Sequence, residues 1–426
     1  MQQLNRVAII GGTRVPFCRS NTAYADLSNL DMLSDTLQQL VNKFQLNGKK
    51  IDEVIAGAVT THSRDWNLAR EAVLSTTLSP ATPGTTLQMA CGTSLQAALL
   101  LAGRIATGQI DTAIAAGTDT TSDAPLVLQP RFAKRLLKVS QAKTFSAKLK
   151  TFKGMSMREL APQAPANGEP RTRLSMGQHC ELMAKEWAIT REEQDQWTLE
   201  SHLKAAAAYE NGFFDNLLLP YHGVARDNNL RADSTLEKLS SLKPAFDRSS
   251  TGTLTAGNST PLTDGSAAVF MTSEAYALKH GLEVQAWLTQ GRTSAVDFVG
   301  GEGLLMAPTV AVSEMLAQAK LTLQDFDYYE IHEAFAAQVL CTLKAWESDS
   351  YCRDTVGLTQ ALGTIDRSLI NVNGSSLALG HPFAATGARI LGTLGKLLES
   401  QSNKRGLISI CTAGGMGAAA ILESAN

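Results

Sequence analysis

Short apolar runs alternate with helix-length segments along this chain, and the whole alternation occurs twice. In the first half, Val7 to Ile10, Val54 to Val59, Thr85 to Ala90 and Thr112 to Ala116 read as strands. Helices are predicted between them over Ser28 to Phe44, Asn67 to Leu78 and Leu95 to Ala106. In the second half the strands are Val284 to Leu288, Phe326 to Ile331, Ile370 to Val372 and Leu407 to Ile410. The helices there fall near Thr309 to Ala319, Glu333 to Trp346 and Ala384 to Leu398. Strands separated by helices must pair largely in parallel under a cover of those helices, which is an α/β arrangement. Leu99 to Gly117 and Ile390 to Gly414 run alike, each from an apolar helix through a short polar link and a strand into small residues. The sequence therefore predicts an internal duplication.

At 426 residues the chain exceeds one ordinary core, in keeping with two related halves. Residues 129–257 break the alternation, with Pro162, Pro165 and Pro170 and helical stretches at Gly177 to Trp187 and Arg191 to Tyr209. We expect 1–128 to form an N-terminal half completed by 258–278, 129–257 to be an inserted loop subdomain, and 279–426 to form the C-terminal half. Lys and Arg total 38 against 40 Asp and Glu, so no global charge draws the chain to nucleic acid and no such partner is expected. The six cysteines are scattered without a Cys-x-x-Cys pair or zinc-site spacing, and neither a leader-like start nor a membrane-length apolar run is present. The expectation is a cytoplasmic protein with free thiols and no metal.

Chemistry gathers at four places. Cys91 follows the run Thr85 to Ala90 and precedes an apolar helix, where unpaired N–H groups favour a thiolate and can hold an oxyanion. A free cysteine is equally often a small buried hydrophobe, so its neighbours decide. His381 ends the loop Asn371 to Gly380, and Pro382 behind it suits a first helical turn. An imidazole held there can take a thiol proton, although a lone loop histidine is more often a structural hydrogen-bonder. His332 and Glu333 lie where the strand Phe326 to Ile331 ends, the ligand-facing edge of a parallel sheet. His332 is placed to donate to a carbonyl oxygen or a bridging water, and Glu333 to cap the next helix or hold His332. Cys411 precedes Thr412-Ala413-Gly414-Gly415, a turn able to aim N–H groups at a developing oxyanion. Neither a dinucleotide nor a phosphate-loop glycine pattern is present.

Taken together, the Cys91 segment, Ser175-Met176-Gly177, the stretch Ala256 to Gly265, His332-Glu333-Ala334-Phe335, Gly380-His381-Pro382 and Cys411 resemble the thiolase family, in family order and over essentially the whole chain. The resemblance implies an α/β thiolase fold of two duplicated βαβαβαββ halves, with sheets covered by helices, plus the inserted loop subdomain. It implies that Cys91 carries the acyl group, His381 activates it, and Cys411 moves the proton at the α-carbon. One oxyanion hole would be formed by His381 with a water held by His332, the other by the N–H groups of Cys91 and Ala413. Arg231 and Thr260 would contact coenzyme A, which serves as a substrate; no cofactor is implied.

Histidine at 332 and the Thr260-Pro261-Leu262 wording are similar to the β subunit of the fatty-acid oxidation trifunctional complex, which favours 3-ketoacyl-CoA cleavage. Acetoacetyl-CoA synthesis by condensation and a non-catalytic lipid-carrier or assembly role are the alternatives. A homodimer or higher oligomer is implied, with a hydratase/dehydrogenase α subunit as a further partner. Nine Lys or Arg residues between Arg131 and Arg158, with no acidic residue among them, are interleaved with Leu136, Leu137, Val139, Phe145, Leu149 and Phe152. This segment, 131–158, reads as a solvated face, as a docking surface for a partner or membrane, or as an attraction for CoA phosphates.

Overall fold

The computed structural model describes residues 4–426. Ten strands form one sheet: β1 (Val7–Arg14), β2 (Cys18–Arg19), β3 (Glu53–Gly57), β4 (Gly84–Thr86), β5 (Thr112–Asp119), β6 (Thr263–Ser273), β7 (Ala286–Ala295), β8 (Tyr328–Ile331), β9 (Arg405–Thr412) and β10 (Met416–Ser424). Their order is β4-β3-β5-β6-β1-β7-β10-β9-β8, with β2 paired to β6. The duplication is visible in that order. β3 pairs in parallel with β4 and β5, and β6 and β1 continue antiparallel; in the second half β8 and β9 are parallel, and β10 and β7 continue antiparallel. The halves meet where β1 pairs with β7, Ala8 opposite Trp287 and Ile9 opposite Ala286.

Period-two alternation divides the apolar residues of these strands between two faces. Val7, Ile9, Ala113, Ala115, Val269, Ile408, Ile410 and Ala420 pack on two buried helices, Thr93–Ala106 and Thr386–Leu398. Their neighbours Ala8, Ile10, Ile114, Ala116 and Phe270 turn the other way onto helices Asn29–Lys43 and Leu68–Leu74. Ile331, Leu407, Ala419 and Ile421 face helices Ala307–Ala319 and Ala336–Glu347. The pair 93–106 and 386–398 is thus a shared inner layer, one helix from each half.

Small residues set the closeness of that layer. A methyl added at Gly387 would meet the Leu95 backbone nitrogen at 2.3 Å, and one at Gly117 would meet the Ala384 carbonyl oxygen at 2.0 Å. Ser94 locks the helix starts together, donating to the Ala384 carbonyl (2.5 Å) and accepting from the Ala388 N–H (2.8 Å).

Several sequence expectations are corrected, first that of a largely parallel sheet: only β3–β4, β3–β5 and β8–β9 are parallel, because β1, β6, β7 and β10 add antiparallel pairings at the centre. The run 85–90 is a strand only to Thr86; beyond it the chain passes through a 3-10 turn, Ala90–Gly92, before the helix begins at Thr93. Residues 370–372 form no strand, only a single parallel bridge between Ile370 and Tyr329. β10 was not foreseen, because its core, Gly-Ala-Ala-Ala-Ile, is too small-sided to stand out as a strand. In the 129–257 region the helices are Pro130–Gln141, Phe145–Lys150, Met176–Glu186, Arg191–Glu210 and Leu236–Ser240, and the first two bury no residue. Among the described residues no helix is long and apolar enough to cross a membrane.

Candidate active site

Cys91 lies in the 3-10 turn between β4 and the Thr93–Ala106 helix. Thr93 shapes this turn, its hydroxyl donating to the Ala90 carbonyl (2.7 Å) and accepting from the Met89 N–H (2.9 Å). Ala90 has φ of 44°, a left-handed conformation that a side chain seldom adopts, directly before the thiol. The Cys91 side chain is part-exposed while its surroundings are buried.

His381 comes from the other half. Gly380, at φ 104°, turns the loop, and the His381 N–H donates to Thr263 Oγ1 (2.8 Å). Its Nε2 is 3.1 Å from Cys91 Sγ, and its Nδ1 is 2.6 Å from Thr386 Oγ1. The His332 ring packs against it with centroids 4.2 Å apart. One donor atom each from Cys91, His332 and His381 lie within 4.8 Å of one another. Cys411, at the end of β9, is buried beside Cys91, close enough for a charge on Cys91 to push its own thiol upward. The backbone N–H groups of Cys91 and Ala413 lie near enough to the Cys91 sulfur to favour its ionised form.

Two carboxylates hold the scaffold. Asp119 accepts from the N–H groups of Val59, Thr60 and Ala384 at 2.8–2.9 Å, tying the end of β5 to the His381 turn. Glu333 accepts from Trp197 Nε1, Ser201 Oγ, Asn371 Nδ2 and the Leu377 N–H, at 2.8–3.2 Å. It therefore does not cap the helix that follows it, which begins at Ala336, but accepts from the first turn of the short helix Ser376–Leu379, and it makes no hydrogen bond to His332. His332 Nδ1 is instead 2.8 Å from Ser376 Oγ, while its Nε2 has no hydrogen-bond partner among the described residues.

Burial dominates the protonation states. It pushes the Cys91 thiol up to about 12, reinforced by Asp119 and only partly opposed by the N–H groups of Cys91 and Ala413. It lowers His381 to about 3 and His332 well below the usual imidazole range, with the Arg389 cation adding to both shifts. The helix start that favours a thiolate lies two residues on, at Thr93, and desolvation opposes it. Both shifts favour a neutral thiol beside a neutral imidazole at rest.

The other sequence candidates divide. Thr260 adjoins the cluster, its N–H and hydroxyl both bonded to the Ala334 carbonyl. Arg231 is not brought in; it is exposed, and its guanidinium donates to the carbonyls of Asn228 and Leu230 in its own loop. Sequence reasoning passed over Asp119, Thr386, Ser376 and Arg389. Only Arg389 carried a signal, as a charge in the middle of the apolar run 384–398.

Such a duplicated α/β fold, with a thiol, an imidazole and facing N–H groups at the junction of its halves, defines an acyltransferase. The chain belongs to the thiolase family: residues 7–275 match the description "Thiolase, N-terminal domain" and residues 282–424 "Thiolase, C-terminal domain". It is 40% identical to a Yersinia enterocolitica protein named 3-ketoacyl-CoA thiolase, over 99% of this chain and 98% of that one. Among solved structures it resembles a Bacillus anthracis acetyl-CoA acetyltransferase, with TM-score 0.82, 29% identity and coverage of 99% of this chain and 100% of that one. It also resembles human mitochondrial 3-ketoacyl-CoA thiolase in complex with CoA, with TM-score 0.82, 26% identity and full coverage of both chains.

A neutral resting pair has a kinetic signature. With the Cys91 value raised to about 12, the thiolate fraction grows about tenfold per pH unit through the neutral and alkaline range. Iodoacetamide inactivation at Cys91 should therefore keep accelerating from about pH 7 to about pH 9. A rate that is flat across that range would mean a preformed thiolate–imidazolium pair.

Proposed function

We propose that the protein is a 3-ketoacyl-CoA thiolase, reversibly cleaving 3-ketoacyl-CoA to acetyl-CoA and a shortened acyl-CoA in fatty-acid β-oxidation. The observation that carries this reading is the 3.1 Å approach of His381 Nε2 to Cys91 Sγ, with Cys411 beside them. Nearly full-length similarity to proteins named 3-ketoacyl-CoA thiolase supports it.

In this reading His381 takes the Cys91 proton as the sulfur attacks the keto carbon, so no free thiolate need accumulate. The bond between the α-carbon and the keto carbon breaks, and its electron pair leaves on the acetyl-CoA fragment as an enolate. Cys411 gives that enolate a proton, and the acyl group remains on Cys91. CoA then enters as thiol, loses its proton to the site and displaces the acyl group as acyl-CoA. His381 and a water held by His332 stabilise the thioester oxygen of the CoA substrate, while the N–H groups of Cys91 and Ala413 stabilise that of the acyl-enzyme. The CoA proton returns to Cys411 and the His381 proton to the leaving Cys91 sulfur, so both thiols end the cycle protonated.

Acyl-CoA and CoA are the substrates, with Thr260 near the pantetheine and Arg231 near the adenine when CoA is bound. We assign residues 1–128 with 258–278 to one catalytic half, 279–426 to the other, and 129–257 to an inserted subdomain. The same reading includes a homodimer or larger oligomer, a hydratase/dehydrogenase partner subunit, and a cytoplasmic setting that suits six free cysteines. It also makes the helices Pro130–Gln141 and Phe145–Lys150 a peripheral contact for anionic membranes. They expose Leu137, Phe145 and Leu149 among lysines, a pattern suited to a lipid interface.

Replacing Cys411 with Ala should preserve acyl transfer from acyl-CoA to Cys91 while lowering 3-ketoacyl-CoA cleavage by about 10²- to 10⁴-fold. Normal turnover by that variant would remove Cys411 from the mechanism. In wild-type protein, thiolysis of long-chain 3-ketoacyl-CoA should match or exceed that of acetoacetyl-CoA; activity confined to the latter would indicate the condensing enzyme. Sedimentation with anionic vesicles should carry wild type down and leave a Lys134→Glu/Lys138→Glu variant in solution. Arg135 is unsuitable for that test because it is already paired with Glu159 at 2.8 Å. Equal sedimentation of wild type and variant would end the lipid assignment.

A further inference from the structure

Arg389 faces Glu330 across a buried contact that the mechanism above does not use. Arg389 sits on the inner helix Thr386–Leu398, and its closest carboxylate oxygen is Glu330 Oε2, 3.9 Å from Nη1, with both side chains 1% exposed. This is too long for a good ion-pair hydrogen bond, and neither Glu330 oxygen has a hydrogen-bond partner among the described residues. The guanidinium is directed elsewhere. Its Nη2 donates to Ser375 Oγ (3.0 Å) and Ser376 Oγ (3.1 Å). Ser376 Oγ in turn lies 2.8 Å from His332 Nδ1.

Proton accounting along this chain has one satisfactory solution. A guanidinium can only donate, so Ser376 Oγ accepts from Arg389. The serine hydroxyl has one proton of its own, and its other partner is His332 Nδ1. If Nδ1 carried the ring proton, the hydroxyl would accept twice and its own proton would be buried without an acceptor, which is costly. If Nδ1 is bare, the hydroxyl donates to it and the Ser376 proton is satisfied, whereas Arg389 Nε and Nη1 are without a partner among the described residues in either case. The ring proton then resides on Nε2, the nitrogen without a protein partner, on the ring packed against His381.

The geometry points to Arg389 as a positioning residue that, through Ser376, fixes His332 in its Nε2–H tautomer, so that this ring presents a donor toward the reacting thioester oxygen or its water. The inference deepens the thiolase reading and rests on it for the identity of the oxygen. His381 requires the opposite tautomer at rest, with Nε2 bare toward the Cys91 thiol and Nδ1–H donating to Thr386 Oγ1. Two adjoining imidazoles, their planes 53° apart, are thus given opposite tasks by two hydroxyls, Ser376 and Thr386. The buried Arg389 cation also disfavours a second proton on either ring, which keeps His332 a neutral donor. Glu330, raised to about 8 by its own burial, is mostly protonated at neutral pH, gives that cation little counter-charge and leaves its Nη2 free to point at the serines.

Neutron diffraction from deuterium-exchanged wild-type crystals reads the tautomer directly, with no reliance on activity. Deuterium on His332 Nε2, with the Ser376 deuteron directed at Nδ1, is expected; deuterium on Nδ1 overturns the inference. Kinetics of Ser376→Ala give the second readout. Its kcat for 3-ketoacyl-CoA thiolysis should fall about 10- to 100-fold with KM within about twofold, as for loss of an outer partner that orients a functional histidine. An unchanged kcat in that variant overturns the positioning role. Wild-type protein that shows the expected deuteron but cleaves no 3-ketoacyl-CoA would instead refute the functional reading and leave the tautomer assignment standing.

Discussion

The close approach of two buried helices, Thr93–Ala106 and Thr386–Leu398, fixes the distances on which the site depends. Cys91 precedes one helix and His381 precedes the other, so the gap between sulfur and imidazole is set by how near the helix starts can come. Gly387 against Leu95 and Gly117 against Ala384 allow contacts that any larger side chain would prevent. Ser94 and Asp119 then fasten the same turn by hydrogen bonds to Ala384 and Ala388. Duplication gives this arrangement a simple logic: each half supplies one helix start, and the reactive pair forms only where they abut.

Low polarity at that junction decides how the chemistry is run. A solvated cysteine next to a histidine would share its proton as an ion pair, but burial here raises the thiol and lowers both imidazoles. Charge is confined to groups that do not react. Asp119 and Glu333 are saturated with donors, and Arg389 is turned toward serine hydroxyls. The reacting atoms therefore meet as neutral groups in a fixed frame, and hydrogen-bond donors aimed at the substrate oxygens gain strength from the dry surroundings.

Much of this was legible in the sequence because the informative residues sit at strand and helix ends. Cys91, His332, His381 and Cys411 stand where apolar periodicity stops, and small or turn-forming neighbours mark those stops. The strands and the outer helices followed from periodicity only in outline: the central strands pair antiparallel rather than in parallel, β10 was hidden by its alanines, and 370–372 looked like a strand but makes a single bridge. What the sequence did not show is which polar side chains reach across the fold. Glu333 is adjacent to His332 yet serves Trp197, Ser201, Asn371 and Leu377, because successive residues leaving a strand point to opposite sides. Ser376 reaches His332 over 44 positions, and Asp119 reaches Ala384 over 265, separations that local pattern does not encode.

The central claim is that the junction of the two halves exists to place an acyl group on Cys91. Intact-mass and peptide mass spectrometry after brief mixing with acetyl-CoA tests it most directly. The account predicts one added acetyl group per chain, located on Cys91 and lost again on addition of free CoA. Folded protein that stays unmodified, or that carries the acetyl group on another residue, would contradict it.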